Sequence, residues 1–126
     1  MAEYVTLTGL SGAPYVFQVC DPNLPFVPYA GNYAMASRGL LGWFVAYIGE
    51  TNNLRDRLAT HERWAEARSM GCRYILAHQT IGDSVRMAEE ADLIAAYNPP
   101  LNRQLRTGGL AAALLGLSGP VAPTLR

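Results

Sequence analysis

The stretch WFVAYIGETNNLRDRL, residues 43–58, decides the fold that this sequence predicts. Its first six residues are apolar or aromatic and are long enough for one β-strand, and Gly49 lets the backbone turn after them. The segment Thr51-Asn52-Asn53 supplies side chains that cap helix N-termini, so we expect a helix to begin at Leu54 and to end near Gly71. The stretch therefore predicts a strand that is followed at once by a helix.

This predicted helix carries an apolar stripe and a polar stripe side by side. Leu54, Leu58 and Ala65 recur at helical spacing and form the apolar stripe. The neighbouring stripe, at positions i, i+4, i+7 and i+11, contains Arg57, His61, Trp64 and Arg68. Two arginines and a histidine at the edge of a core suit a phosphate group. A solvated face with arginine stems lying on apolar surface would give the same pattern, so both interpretations stay open here.

Strands are also predicted on the N-terminal side of this stretch. The predicted strands are a short edge strand at residues 4–7 and two longer strands at residues 15–20 and 31–36. Residues 37–42 contain two glycines and predict a hairpin connection to the strand at residues 43–48. The hairpin would make the two strands antiparallel neighbours, and it would bring Tyr33 close to Tyr47.

The sequence after the first helix predicts one more strand and one more helix. Residues 72–81 have a strand pattern that contains His78, which we interpret as an edge or core residue. Gly82-Asp83-Ser84 predicts the start of a helix that runs to about Tyr97, where Asn98-Pro99-Pro100 ends it. From residue 103 the chain is rich in Gly, Ala, Leu and Pro. We expect a weakly ordered tail there, with a short helix at residues 110–115.

One carboxylate of the second helix falls on the apolar side. We expect the core-facing residues to be Met87, Ala91, Ile94 and Tyr97. Glu90 lies within this stripe, whereas Glu89 and Asp92 are expected to face solvent. A buried carboxylate needs a partner. The partner is either Arg86 in an i, i+4 ion pair or a Mg²⁺ ion, which often takes one protein carboxylate together with waters and phosphate oxygens.

Composition limits the classes of function. The chain has 126 residues, enough for one domain, and ten arginines balance ten acidic residues with no lysine. A chain without net charge has no global field that attracts nucleic acid, so any binding must come from a local patch. The start of the chain has no signal-peptide pattern, and no apolar run is long enough to cross a membrane. Two cysteines predict free thiols and a cytoplasmic protein without a membrane partner.

Five elements in this order resemble the GIY-YIG nuclease superfamily, which includes homing endonucleases and the nuclease domain of bacterial nucleotide-excision repair. The elements are Gly31-Asn32-Tyr33, Tyr47-Ile48-Gly49, Leu54–Leu58 with His61, Glu90, and Asn98–Asn102. The resemblance covers residues 31–102. It implies an α+β domain, a small antiparallel β-sheet flanked by helices. Residues 1–30 would then be an N-terminal strand extension and residues 103–126 a C-terminal tail.

The resemblance also implies an endonuclease that hydrolyses phosphodiester bonds of nucleic acid, with DNA as the expected substrate. Its catalytic residues would be Tyr33, Tyr47, Arg57, His61 and Glu90. Glu90 would hold Mg²⁺, for which Mn²⁺ can substitute, and Arg57 would stabilise charge on the phosphoryl oxygens. Tyr33 or Tyr47 would orient or deprotonate the attacking water, with His61 as the other candidate base. The substrate-binding residues would be Arg57, Arg68 and Asn102, with Asn102 more suited to bracing the site than to reacting.

Two residues depart from the family pattern. Asn32 replaces an apolar residue between glycine and tyrosine, and we expect its side chain to point away from the face of Tyr33. Glu50 stands where many members carry a lysine. A negative charge there favours the alternative function, a catalytically weak module that binds nucleic acid without cutting it. The sequence leaves the form of the nucleic acid and the oligomeric state open.

Overall fold

The structure, a computed structural model, describes residues 2–103, and in this range five strands and three helices follow one another. In chain order these are β1 (Glu3–Thr8), β2 (Pro14–Cys20), β3 (Gly31–Gly39), β4 (Gly42–Thr51), α1 (Leu54–Ala59), α2 (Trp64–Ser69), β5 (Tyr74–Gln79) and α3 (Asp83–Tyr97). Residues 100–103 begin a further helical turn. The predicted α+β class is confirmed. The predicted tail and its short helix lie outside the described residues.

All five strands belong to one antiparallel sheet with the order β1-β2-β5-β3-β4. The predicted hairpin is confirmed, with a tighter turn than expected: Gly39 pairs with Gly42, so Leu40 and Leu41 alone form the turn. A β-bulge shifts the register of the hairpin between Met35 and Ala36. In this arrangement β3 lies between β4 and β5, in the interior of the sheet.

The N-terminal strands extend the same sheet. β1 is an edge strand, as predicted, and it pairs with β2 along its whole length. β2 in turn pairs with β5 from Gln18 to Cys20. The part of the chain that precedes residue 31 thus contributes two strands that continue the sheet beyond β5.

Helices cover both faces of the sheet, and each face has its own apolar core. The face under α1 and α2 buries Tyr33, Met35, Ala46, Tyr47, Leu54, Ala67, Cys72, Ile75 and Leu101. The face under α3 buries Leu7, Phe17, Ala34, Ala36, Val45, Ile48, Leu76 and Leu93. Tyr33 and Met35 share one face, as the alternation of side chains along a strand requires. We call the two faces of the sheet the α1–α2 face and the α3 face.

The prediction of a single helix from Leu54 to about residue 70 is wrong. α1 ends at Ala59, and residues 60–63 interrupt the chain before α2 begins at Trp64. The interruption has a physical reason, because it turns the ring of His61 inward to a hydrogen bond with a tyrosine of the sheet. Arg57, His61, Trp64 and Arg68 therefore do not form one continuous helical stripe.

Both ends of this region form as the sequence predicted. Asn53 is the N-cap of α1, and its side-chain oxygen accepts a hydrogen bond from the backbone N–H of Asp56 at 3.1 Å. At the other end Gly71 has φ +96°, a conformation that L side chains rarely adopt, and it stops α2.

The face that α3 turns to the sheet also differs from the prediction. The buried residues are Arg86, Glu90 and Leu93, while Met87 and Tyr97 are 40% and 37% exposed. The helix is thus rotated by one residue, about 100°, from the predicted orientation. Glu90 is buried in both arrangements.

Polar partners explain this rotation. The carboxylate of Glu89 accepts hydrogen bonds from Asn32 at 2.9 Å and from Thr80 at 2.6 Å. Asp92 accepts bonds from Tyr15 and from Ser11. The prediction that Glu89 and Asp92 face solvent is therefore wrong. Charge-assisted bonds hold the polar side of α3 against the sheet, and they outweigh the burial of a few apolar side chains.

Two expectations from composition can be examined in the described residues. Cys20 is partly buried, Cys72 is buried, and both are free thiols as predicted. None of the helices in residues 2–103 combines the length and the hydropathy that a membrane-spanning helix requires.

Candidate active site

Three aromatic rings meet on the α1–α2 face. Tyr33 comes from β3, Tyr47 from β4 and His61 from the link between α1 and α2. The ring centroids of Tyr33 and Tyr47 lie 6.2 Å apart, and His61 lies edge-on to both, at 5.4 Å from Tyr33 and 5.2 Å from Tyr47. The predicted proximity of the two tyrosines is confirmed. We call these residues the Tyr-Tyr-His cluster.

Gly49 allows Tyr33 to occupy this position. The tyrosine ring lies across the glycine, and a Cβ atom at Gly49 would come within 2.5 Å of Tyr33 Cζ and of its hydroxyl oxygen. Any larger residue would displace the ring, because the site leaves no space for another carbon atom. Gly49 therefore has a second role besides the turn of the backbone, because it leaves space for the ring of Tyr33 on the neighbouring strand β3.

The hydrogen bonds of His61 fix the position of its proton. The backbone N–H of Arg63 can only donate, and it lies 3.0 Å from His61 Nδ1, so Nδ1 is the acceptor. In a neutral ring the proton then resides on Nε2, which donates to the hydroxyl oxygen of Tyr33 at 2.7 Å. Burial, followed by the nearby charge of Arg57, lowers the pKa of His61 to about 4, so the ring is neutral near pH 7. The lone pair of His61 is therefore engaged with the backbone of Arg63 in this structure, and its role as the other candidate base stays a prediction.

The two tyrosines are neutral in this environment. Burial raises the pKa of Tyr33 strongly, the neighbouring Tyr47 adds to the rise, and the guanidinium of Arg57 opposes it. Burial also raises the pKa of Tyr47, again against Arg57 and with a further rise from Glu90. Arg57 is thus the cation that favours a phenolate at either position.

Arg57 itself is bound by an acidic residue that the sequence analysis missed. Its two terminal nitrogens each donate to one carboxylate oxygen of Glu62 at 2.7 Å, a bidentate pair. This pair and a backbone N–H lower the pKa of Glu62 to about 2. The partners lie five positions apart in the sequence, a spacing that does not place them together on one helix. Only the interruption after α1 brings Glu62 to Arg57, so no helical pattern could have identified the pair.

Glu90 lies on α3 and is 1% exposed. Its charge contributes to the raised pKa of Tyr47, so its carboxylate acts on the Tyr-Tyr-His cluster. Among residues 2–103, no group of three or more His, Cys, Asp or Glu side chains could hold a metal ion.

Arg86, the other partner considered for Glu90, has ion pairs with two different acids. It donates to Asp83 at 2.7 Å, and its Nε lies 3.8 Å from a carboxylate oxygen of Glu50. It also donates to the carbonyl groups of Thr80 and Ile81. Glu50, the residue that departs from the family pattern, thus faces a buried arginine that offsets its charge.

Asn102 braces the edge strand of the sheet. Its Oδ1 accepts from the backbone N–H of Ile48 at 2.9 Å, and its Nδ2 donates to the Ile48 carbonyl at 3.0 Å. The side chain therefore satisfies the outward backbone groups of β4 beside Tyr47. The predicted bracing role is confirmed. Its predicted contact with substrate stays a prediction, and in this structure Asn102 is 2% exposed with both polar atoms of its amide bonded to the backbone.

Arg68 lies away from the Tyr-Tyr-His cluster. It is exposed on α2, its guanidinium carbon is 5.9 Å from the ring of Trp64, and it lines a separate cavity near residues 20–27. The structure therefore brings together Tyr33, Tyr47, Arg57 and His61, with the charge of Glu90 acting on Tyr47, and it places Arg68 on a different surface.

Comparison of the chain with known protein families, with curated proteins and with solved structures finds no match.

Proposed function

We propose that this protein is a metal-dependent endonuclease of the GIY-YIG type that hydrolyses phosphodiester bonds of nucleic acid, with DNA as the expected substrate. One observation carries the proposal, the buried hydrogen bond between Tyr33 and a neutral His61 beside Tyr47. Because the hydroxyl oxygen of Tyr33 accepts a hydrogen bond from His61, the hydroxyl proton of Tyr33 is free to be donated to another group. A residue that orients an attacking water needs such a free proton. The five-element resemblance of residues 31–102 supports the same function.

The donor set fits Mg²⁺ with one carboxylate. A carboxylate oxygen is the hard ligand that Mg²⁺ prefers, and the ion commonly completes its shell with waters and substrate phosphate oxygens. Glu90 would hold the ion, and Mn²⁺ would be accepted at the same position. Because Glu90 is buried, the groups that cover it must move when the ion enters. When bound, the metal would supply Lewis-acid polarisation of a phosphoryl oxygen.

The protein's own residues would divide the remaining work. Tyr33 orients the water, and His61 holds the tyrosine in place through Nε2. Arg57 lowers the pKa of both phenols and offers a planar fork to phosphate oxygens, where developing charge needs stabilisation. Glu62 competes for the same fork. A phosphate that displaces Glu62 would therefore be bound and positioned in one step.

The second candidate is a nucleic-acid-binding module with weak or no catalysis. The pairing of Arg57 with Glu62 favours it, because an arginine in a bidentate pair is less available to a scissile phosphate. The raised pKa of both tyrosines favours it as well. Both candidates share a local binding surface on a chain without net charge, and they differ only in cleavage.

A cleavage assay with Mg²⁺ over duplex, branched and single-stranded DNA and RNA separates the two candidates. We expect cleavage that stops with chelator and returns with Mg²⁺ or Mn²⁺. Tyr33→Phe should reduce the rate by about 100-fold or more, the range for a positioned acid–base group. Tyr4→Phe is the matched control, since Tyr4 is exposed on the edge strand β1. Binding without cleavage of any substrate would leave the binding module as the function.

A further inference from the structure

A cavity of about 770 Å³ opens beside α2, apart from the Tyr-Tyr-His cluster. Its lining includes residues 20–27, at the end of β2 and after it, together with Arg68 and Arg73. The size is that of a ligand site, since such pockets measure roughly 300–1,000 Å³.

The two arginines give the cavity a positive wall. Among residues 2–103, neither Arg68 nor Arg73 takes part in an ion pair, while five other arginines do: Arg38, Arg55, Arg57, Arg63 and Arg86. Arg73 is held in place because its Nη1 donates to the carbonyl groups of Arg68 and Cys72 at 3.2 and 2.9 Å. Unpaired guanidinium groups at a cavity favour an anion with several oxygens, such as a phosphate.

The acids of the cavity offset only part of that positive charge, since two arginines line it and Asp21 is its one acid without an ion pair among residues 2–103. Glu3 lines the cavity but pairs with Arg38, and Asp21 accepts a hydrogen bond from the backbone N–H of Asn23. The remaining lining includes Phe26, which offers aromatic surface, and Tyr74, whose ring already contacts Trp43 and the guanidinium of Arg38. Guanidinium groups beside aromatic rings are the combination that binds unpaired nucleotides, because phosphates contact the cations and bases stack on the rings.

The cavity also adjoins the proposed active site along the chain. Leu54 lines it and begins α1, and Arg57 follows three residues later, about 4.5 Å along the helix axis. Backbone hydrogen bonds from Leu54 to Tyr29 and from Arg55 to Val27 tie the cavity wall to the start of α1. A strand held in the cavity could therefore continue toward Arg57.

We infer that this cavity binds an unpaired nucleotide of the nucleic-acid substrate, with its phosphate at Arg68 and Arg73 and its base against Phe26. The inference rests on the proposed function and specifies the substrate as single-stranded or locally unpaired next to the cleavage site. A double helix does not fit, since the volume of about 770 Å³ is that of a small-molecule site. Free nucleotide shares the chemistry of a nucleotide in a strand, and the test separates the two.

The test measures binding by fluorescence anisotropy with the full chain in chelator, so that no cleavage is needed. The probes are a labelled 12-residue thymidine oligomer, the corresponding duplex, and thymidine monophosphate as competitor. Arg68→Glu should weaken oligomer binding by at least about tenfold, because a charge-assisted contact to phosphate becomes a repulsion. Arg103→Glu is the matched control, as Arg103 is also exposed and has no ion pair among residues 2–103, but it lines a different cavity.

Cys20 gives a second measurement inside the cavity. It lines the cavity and is partly buried, whereas Cys72 is fully buried, so maleimide alkylation of the folded protein reports on Cys20. We expect the oligomer to slow this alkylation at least about tenfold at saturation, since a bound nucleotide covers the thiol. The Arg68→Glu variant should lose this protection.

Three results would overturn the inference. The first is equal binding of the oligomer to Arg68→Glu and Arg103→Glu, and the second is oligomer binding that does not protect Cys20 from alkylation. The third is that thymidine monophosphate protects Cys20 and the oligomer does not. Protection of Cys20 in a protein that cuts nothing would refute the proposed catalysis and retain the cavity as a binding site. Cleavage that Arg68→Glu does not alter, together with unprotected Cys20, would refute the cavity and retain the nuclease.

Discussion

The two faces of the sheet differ in the charge state of their polar groups. On the α3 face, the charged groups have partners of opposite or complementary character, such as Glu89 with Asn32 and Thr80 and Arg86 with Asp83. On the α1–α2 face, the buried titratable groups are neutral, and burial shifts the pKa of Tyr33, Tyr47 and His61. Charges with bonded partners fit a structural role, whereas buried groups with shifted pKa values are typical of places where protons are transferred. We propose on this basis that the α3 face has a structural role and that the α1–α2 face has the catalytic one.

Glu90 connects the two faces and gives the largest expected effect. Glu90→Gln keeps the shape of the side chain and removes the charge that a divalent cation needs. We expect cleavage per folded molecule to fall by about 100-fold or more, because the metal supplies several kcal/mol of charge stabilisation. The thermal midpoint should hold or rise, since a buried carboxylate is costly. A destabilised variant that cuts at the wild-type rate would show that Glu90 belongs to the structural face alone.

Glu89→Ala tests the structural role of the α3 face. The change removes the acceptor of Asn32, which is fully buried, and of Thr80. We expect a loss of about 1–3 kcal/mol in the free energy of unfolding, the cost of leaving a buried donor without its bond. Chemical denaturation measures this loss. Cleavage per folded molecule should stay at the wild-type level, and a large drop in rate at unchanged stability would contradict the division between the faces.

The lowered pKa of His61 predicts an acid-sensitive fold. Above pH 6.5 the ring is neutral in the folded and the unfolded chain, so it contributes no pH dependence. As the pH falls from 6.5 to about 4, the unfolded state binds the proton more readily, and the folded state loses up to about 3 kcal/mol. His61→Phe should remove this slope between pH 6.5 and 4.5. Glu62, with its pKa near 2, adds its own loss only below that window.

The smallest effect concerns Glu62 and the pH–rate profile. The charge of Glu62 contributes to the raised pKa of both tyrosines, so Glu62→Gln should lower both values. If a tyrosine must lose its proton, the rising limb of the profile should move to lower pH, by about one unit or less for an exposed charge. Glu66→Gln is the control, because Glu66 pairs with Arg63 on α2 and not with Arg57. An identical shift in both variants would mean that only the general field had changed.

Local patterns were sufficient to predict the strands, the β3–β4 hairpin and the proximity of Tyr33 to Tyr47. Alternating apolar residues and two glycines around residues 37–42 predicted the β3–β4 hairpin, and an antiparallel hairpin brings Tyr33 to Tyr47. The spacing of caps and breakers located Asn53, Gly71 and α3. These features depend on interactions within a few residues, which is why the sequence is informative about them. The nuclease function and the family resemblance stay predictions.

Tertiary structure decided the features on which the chemistry depends. The helix predicted over residues 54–70 breaks because His61 gains a buried hydrogen bond to Tyr33, 28 residues away in the sequence. The same break brings Glu62 to Arg57. The rotation of α3 follows from bonds between Glu89 or Asp92 and distant parts of the sheet. Periodicity along one helix contains no information about partners on another element, so such long-range bonds override it. The sequence determined which elements form, and the packing of those elements determined which way their polar side chains face.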